Sequence, residues 1–277
     1  MGENAMSLAT ASGNPSERLR VVGGRGTGSL ASFFAELRPD WHSQWAWDHY
    51  ESTILALARQ FGLRRVCEIG GGRDSAFSPE QALRDGLEVT VNDIDAGELA
   101  LAPPGLKTAH FDVAGDLSEP DVRRGSYDLI VSRMVFEHVA DVERAWTNVH
   151  ALLAPGGVAL AFFPTLWAPV FALNHILPET ASRAIVHALF PARRADGDDP
   201  KFPAHYDWCR GSRATLAPML ERAGFRDIHV QRFWGHGYFD RMPGLKQLDH
   251  GFNALAARIG WDLVTTYAFV VVRKDRA

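Results

Sequence analysis

Cysteine is almost missing from this chain. Its two copies, Cys67 and Cys209, stand far apart and form no CxxC pair. That excludes a disulfide framework and the common thiolate zinc sites, and it suits a reducing, cytoplasmic setting. A basic excess is also lacking. The formal net charge is −4, so a nucleic-acid backbone is not an expected partner. No charged-then-apolar leader opens the sequence, and no internal repeat runs through it. The least usual gap is one of charge: between Arg144 and Glu179 there is no Asp, Glu, Lys or Arg. Within that gap VALAFFPTLWAPVFALNHIL has about the length of a membrane span. A PGG turn precedes it, and Pro164 and Pro169 interrupt any continuous helix. Its first part therefore reads as a buried strand. The remainder, Leu166–Leu177, reads as a greasy lid that suits a hydrophobic ligand or peripheral membrane contact, with no transmembrane segment.

What is present is enough for one large α/β domain: 277 residues, 46% of them hydrophobic. Residues 1–28, rich in Gly, Ser, Ala and Asn, read as a disordered tail. A domain over 29–277 follows, opened by a helical, aromatic cap at 29–61 that gathers Trp41, Trp45, Trp47 and Tyr50. Strand and helix signals then alternate. RRVCEI, LEVTVND, KTAHFD, SYDLIVS and VALAFF are read as strands, and Ser78-Pro79 and DVERAWTNVHALL as helix signals. RDIHVQRFW and LVTTYAFVVVRK add two strands, giving a doubly wound, mostly parallel seven-stranded sheet. Two stretches break the rhythm, about 164–210 and 234–262, and read as lid insertions.

The stretch VCEIGGGRDS ends the first strand in three glycines, where a nucleotide can approach the backbone closely. Asp93 ends the second strand and can accept hydrogen bonds from a ribose, which NAD and S-adenosylmethionine both carry. The residues after the turn discriminate. A dinucleotide fingerprint needs glycine where Ser75 stands, and Asp74 would repel a pyrophosphate that wants helix N–H groups. S-adenosylmethionine has no phosphate. Asp112 ends the third strand, where it can accept from an adenine amino group.

In this order the motifs resemble those of the class I S-adenosylmethionine-dependent methyltransferases of the small-molecule type. Glu68, Gly70 and Gly72 match the family's first motif, with Asp74 in place of its last glycine and Gly71 between the matched pair. VNDID resembles the second motif, which implies Asp93 as ribose ligand and Ile94 against adenine. FDVAGDL resembles the third, implying Asp112 and the Val113 backbone near adenine. YDLIVSRMVFEHVAD is similar to the fourth-strand motif, with Arg133 by the cofactor's methionine end, and LLAPGGVALAF resembles the fifth. The likeness covers about 62–165 well and the last strands loosely. It implies a Rossmann-like methyltransferase fold, S-adenosyl-L-methionine as cofactor, S-adenosyl-L-homocysteine as product and a small-molecule methyl acceptor.

Such an enzyme aligns an acceptor atom (O, N or C) for in-line displacement in a dry pocket, and an acceptor of high pKa needs a base. Three histidines are candidates: His138 in FEHV, His205 in the segment KFPAHYDWC, and His236 in FWGHGYF. The competing readings are a His138 packed on the sheet and a His236 at the surface of a glycine turn. Trp167, Tyr206, Trp208, Trp234 and Tyr238 are candidate walls for a hydrophobic or aromatic metabolite. In certain quinone-type relatives the Glu–His pair helps bind a metal, but no further carboxylate set accompanies it here, and no metal site is assigned. The other readings are an NAD(P)-dependent oxidoreductase and a non-catalytic protein retaining the fold. Either a monomer or a homodimer is compatible with the sequence.

Overall fold

The computed structural model describes residues 28–118, 122–166, 204–237, 239, 240 and 242–276. Two helices open it, α1 (Leu30–Leu37) and α2 (Ser43–Phe61). Seven strands follow: β1 (Arg65–Ile69), β2 (Glu88–Asp93), β3 (Lys107–His110), β4 (Tyr127–Arg133), β5 (Leu153–Pro164), β6 (Asp227–Phe233) and β7 (Tyr267–Arg273). Between them lie α3 (Pro79–Asp85), α4 (Ala96–Ala100), α5 (Val142–Leu152), α6 (Arg213–Arg222) and α7 (Pro243–Ile259). They form one sheet in the order β3-β2-β1-β4-β5-β7-β6, with β7 antiparallel to both of its neighbours. The doubly wound, mostly parallel sheet expected from the alternating pattern is present.

A parallel sheet covered on both faces needs near-continuous apolar strands. That accounts for the charge-free run. Val158, Ala159, Leu160, Ala161, Phe162 and Phe163 are all buried, between β4 on one side and β7 on the other. One face packs on α1–α3 through Val131, Leu160, Phe162 and Phe269, the other on α5 and α6 through Ile130, Ala161 and Val270. Burying each large side chain of this kind contributes about 1.5–3 kcal/mol. Cys67 is part of the second layer, and burial pushes its thiol up to about 12. Among the described residues no helix is long and apolar enough to cross a membrane.

Several boundaries differ from the sequence reading. β3 stops at His110, so Asp112 lies in the turn beyond it and not at the strand end. There its carboxylate accepts from the Ala114 N–H (2.8 Å), an Asx turn that competes with the strand ladder. The PGG stretch is inside β5, where the ladder with β4 shifts register between Tyr127 and Leu129. The bulge absorbs a sequence that alone reads as a stop signal. The Ser78 cap forms as expected, accepting from the Gln81 N–H at 3.1 Å. The proposed tail 1–28, apart from Gly28, and most of the 164–210 insertion lie outside the described residues.

Candidate cofactor and acceptor site

The carboxyl ends of β1, β2 and β4 meet at the glycine turn. Gly70 has φ +67°, and a Cβ there would come within 2.5 Å of the Val135 side chain. Gly72 has φ +39°, and a Cβ would stand 2.8 Å from Asp93 Oδ2. Both the dihedral and the space demand glycine. At Gly71 a Cβ would meet the Glu68 carboxyl and Val91 at 2.9 Å, and its N–H donates to the Asn92 carbonyl at the end of β2. The turn thus lies flat, pressed against the carboxylate of Asp93.

Glu68 lies beneath this turn. It is buried, and its two oxygens accept from the Ser75 hydroxyl (2.5 Å) and the Ala76 N–H (2.9 Å). Burial raises its pKa, against the pull of those two hydrogen bonds. Ser75, which stands where a dinucleotide turn would carry glycine, is therefore the partner that braces Glu68. No long helix opens at the turn: only a short 3-10 turn spans Gly72–Asp74, and α3 begins at Pro79.

Asp93 is half-buried. One oxygen accepts from the Asp95 N–H (2.9 Å), the other stands over Gly72, and burial raises its pKa, helped by Glu98 and Asp95 and opposed by that backbone bond. Beside it the Ile94 side chain is 56% exposed, an apolar surface at the mouth of the turn. Val113 is buried, and its carbonyl accepts from the Asn148 amide (2.8 Å). Arg133, the last residue of β4, donates to the Asp74 carbonyl (3.3 Å) and lies 5.5 Å from the centre of the Tyr50 ring. Tyr50 comes from α2 and is fully buried, yet its hydroxyl has no hydrogen-bond partner among the described residues. Burial moves its pKa well up, and Glu68 adds to the shift.

Next to this, past β4, a second group forms. Met134 takes a left-handed φ of 58°, and a 3-10 turn then presents Glu137 and His138. Glu137 is buried, its Oε2 has no partner among the described residues, and burial pushes its pKa up to about 8. Its carboxyl is 4.0 Å from His138 Nε2. Its backbone carbonyl accepts the N–H groups of His205 (2.8 Å) and Tyr206 (3.0 Å). Tyr206 and Trp208 are both left-handed, at φ 56° and 58°. Such backbone costs roughly 1–3 kcal/mol per residue and clusters at functional sites. The segment carrying His205, Tyr206 and Trp208, distant in sequence, is therefore tied by its backbone to Glu137, beside His138.

A methyltransferase-domain family model matches residues 42–230. The chain belongs to the methyltransferase-domain family. That family uses S-adenosylmethionine, and the observed strand order with its antiparallel seventh strand is the one typical of class I members. A highly reducing polyketide synthase of Dothideomycetidae sp. (strain 11243) is 28% identical over 170 residues, 57% of this chain and 6% of that protein. An uncharacterised Synechococcus protein is 31% identical over 129 residues, 43% of this chain and 30% of its own length. The chain thus spans a small part of the curated relatives it matches. Among solved structures, phosphoethanolamine N-methyltransferase 2 of Haemonchus contortus, in complex with phosphomonomethylethanolamine and S-adenosylhomocysteine, has a TM-score of 0.50 at 17% identity. That likeness covers 82% of this chain and 53% of the other, and it concerns the fold.

Two candidate residues of this methyltransferase domain lie elsewhere. Trp234 and His236 follow β6, which is three strand spacings, about 14 Å, from β4. Trp234 is buried in a small cluster with Ala256 and Val264, and its indole N–H donates to the Trp261 carbonyl (3.2 Å). The surface reading of His236 is corrected: its side chain is only 3% exposed, 3.2 Å from Asp249 on α7, because α7 folds over the glycine turn that carries it. Burial lowers its pKa, and Asp249 opposes the shift. Trp167 and Tyr238 lie outside the described residues. Among the described residues no group of three or more His, Cys, Asp and Glu could hold a metal. Sequence reasoning did not single out Tyr50 and Glu137 as candidates, although both lie in stretches it noted, the aromatic helix and FEHV.

Proposed function

We propose that this domain transfers a methyl group from S-adenosylmethionine to an O, N or C atom of a small hydrophobic or aromatic metabolite. One observation carries the reading: a turn that only glycine can form lies under an Asp93 oxygen, and no long helix N-terminus opens there to take a pyrophosphate. The donor set suits the cofactor's chemistry. Asp93 would accept from the ribose hydroxyls, Ile94, Asp112 and the Val113 backbone would flank the adenine, and Arg133 would pair with the methionine carboxylate. Glu68 and Ser75 keep the turn in shape from below. When bound, the cofactor supplies an electrophilic methyl group on a sulfonium. The chain's own contribution is alignment, exclusion of water and the handling of a proton.

His138 is the residue best placed to take that proton, and Glu137, neutral at pH 7, can donate a hydrogen bond from its carboxyl or hold His138 in orientation. Tyr206 and Trp208, with the cap 29–61, would wall the acceptor. Polyketide synthases among the relatives support an acceptor from specialised metabolism, and the scarcity of cysteine supports a cytoplasmic setting. The test is a melting curve with S-adenosylmethionine, S-adenosylhomocysteine or NAD. A rise with the first two and none with NAD supports the reading. A rise with NAD alone overturns it.

A further inference from the structure

α7 is oriented inside out. Toward its own domain it presents Asp249, Asn253 and Ala256, whereas Leu245, Leu248, Phe252, Leu255 and Ile259 are 41%, 74%, 39%, 59% and 63% exposed. The bulky side chains follow one another at steps of three and four residues, the spacing of a helix–helix seam. Met242, Trp261 and Leu263, each at least 40% exposed, continue the patch beyond both ends of the helix. An ordinary surface helix has the opposite polarity. The inward face is also fastened, through the His236–Asp249 pair at 3.2 Å and the burial of Asn253 and Ala256. Rotating the helix to hide the leucines would break that pair and bring Asn253 out of its buried place.

We infer that this face is the dimer interface of the protein, with α7 packed against α7 of a second copy about a twofold axis. The seam spacing calls for another helix with a matching stripe, and a twofold supplies one. Phe252 sits at the middle of the stripe. An antiparallel crossing therefore sets Leu245 and Leu248 of one copy against Ile259 and Leu255 of the other. Gly244 and Gly251, whose Cβ positions face open space, let the backbones approach. The area agrees. The exposed part of these eight residues amounts to roughly 800 Å² per copy, the contribution each partner makes to a standard interface and more than a monomer ordinarily exposes in one patch. Charge argues against an anionic lipid surface as the occupant. α7 carries Lys246 and Arg258 against Asp249, and Lys246 is already paired with Asp240 at 2.9 Å.

The test is the mass of the full chain in solution, by light scattering at tens of micromolar, for the wild type and for the double variant Leu248→Glu/Leu255→Glu. Both positions are exposed, so the variant should retain its circular dichroism. The expected result is a wild-type dimer and a monomeric variant. A third protein, Phe252→Cys, should cross-link to a dimer on mild oxidation, since Cys67 and Cys209 are buried. A monomeric wild type overturns the inference, whether it floats with anionic vesicles or not. So does a dimer that survives the double variant with Phe252→Cys uncross-linked.

Discussion

The two ends of one sheet edge are finished in different ways. Above β1 and β4 two buried polar groups, the Tyr50 hydroxyl and Glu137 Oε2, have no partner among the described residues, beside a turn that three glycines keep open. Beyond β6 the same edge is closed. The Trp234 indole donates to Trp261, the Ser43 hydroxyl donates to the Gly235 carbonyl (2.7 Å), and His236 meets Asp249. Unmet buried hydrogen-bonding groups cost about 1–3 kcal/mol each, so a fold keeps them where a ligand will meet them. At the closed end these described groups meet one another, and an apolar helix face turns outward instead. A ligand end and a packing end share one edge, and the state of their polar groups tells them apart.

The contrast can be broken by exchanging histidines. His138→Ala should lower turnover about 100-fold or more with S-adenosylhomocysteine affinity kept. His236→Ala should leave turnover near wild type and lower the melting temperature, as loss of a buried pair would. Steady-state rates and melting curves on both variants decide it, and the reverse pattern would transfer the site to the β6 end. The next largest effect is Asp93→Ala, expected to weaken S-adenosylhomocysteine about 10- to 100-fold in calorimetry, the worth of hydrogen bonds to one charged acceptor. Tyr50→Phe sharpens the comparison further. If its hydroxyl meets the cofactor or acceptor, affinity should fall several-fold without loss of melting temperature, because a group lacking a protein partner is removed.

Glu137 yields an effect on stability alone, with a defined sign. Its folded pKa, about 8, is above the ordinary carboxylate value, so the folded state holds the proton longer than the unfolded one. Stability from this group is complete at low pH and falls as pH rises from about 4.5 to about 8, then levels off. Glu137→Gln should flatten the decline in melting temperature across that window. An unchanged slope would mean that the carboxyl is not held neutral.

Much of the sheet was legible because buried strands are long apolar runs and the crossovers carry ordinary helix signals. The glycine turn was legible for the same reason that it is constrained: few residues fit it. The direction of Glu68, inward to Ser75, was not, since a carboxylate in a strand has no sequence mark for the face it takes. Nor was the meeting of Glu137 with His205 and Tyr206, which depends on a backbone carbonyl and on left-handed residues that are not glycine. α7 shows the clearest limit. Its three-and-four apolar spacing alone would point inward, and the tertiary pair of Asp249 with His236, beside the buried Asn253 and Ala256, turns that stripe to solvent.

The most direct test of the central claim is a crystal structure with S-adenosylhomocysteine. The account predicts the ligand over Gly70–Gly72, its ribose on Asp93 and its methionine end at Arg133 and Tyr50, with the sulfur facing His138. Ligand bound at the β6 end, by His236 and Trp234, would contradict it.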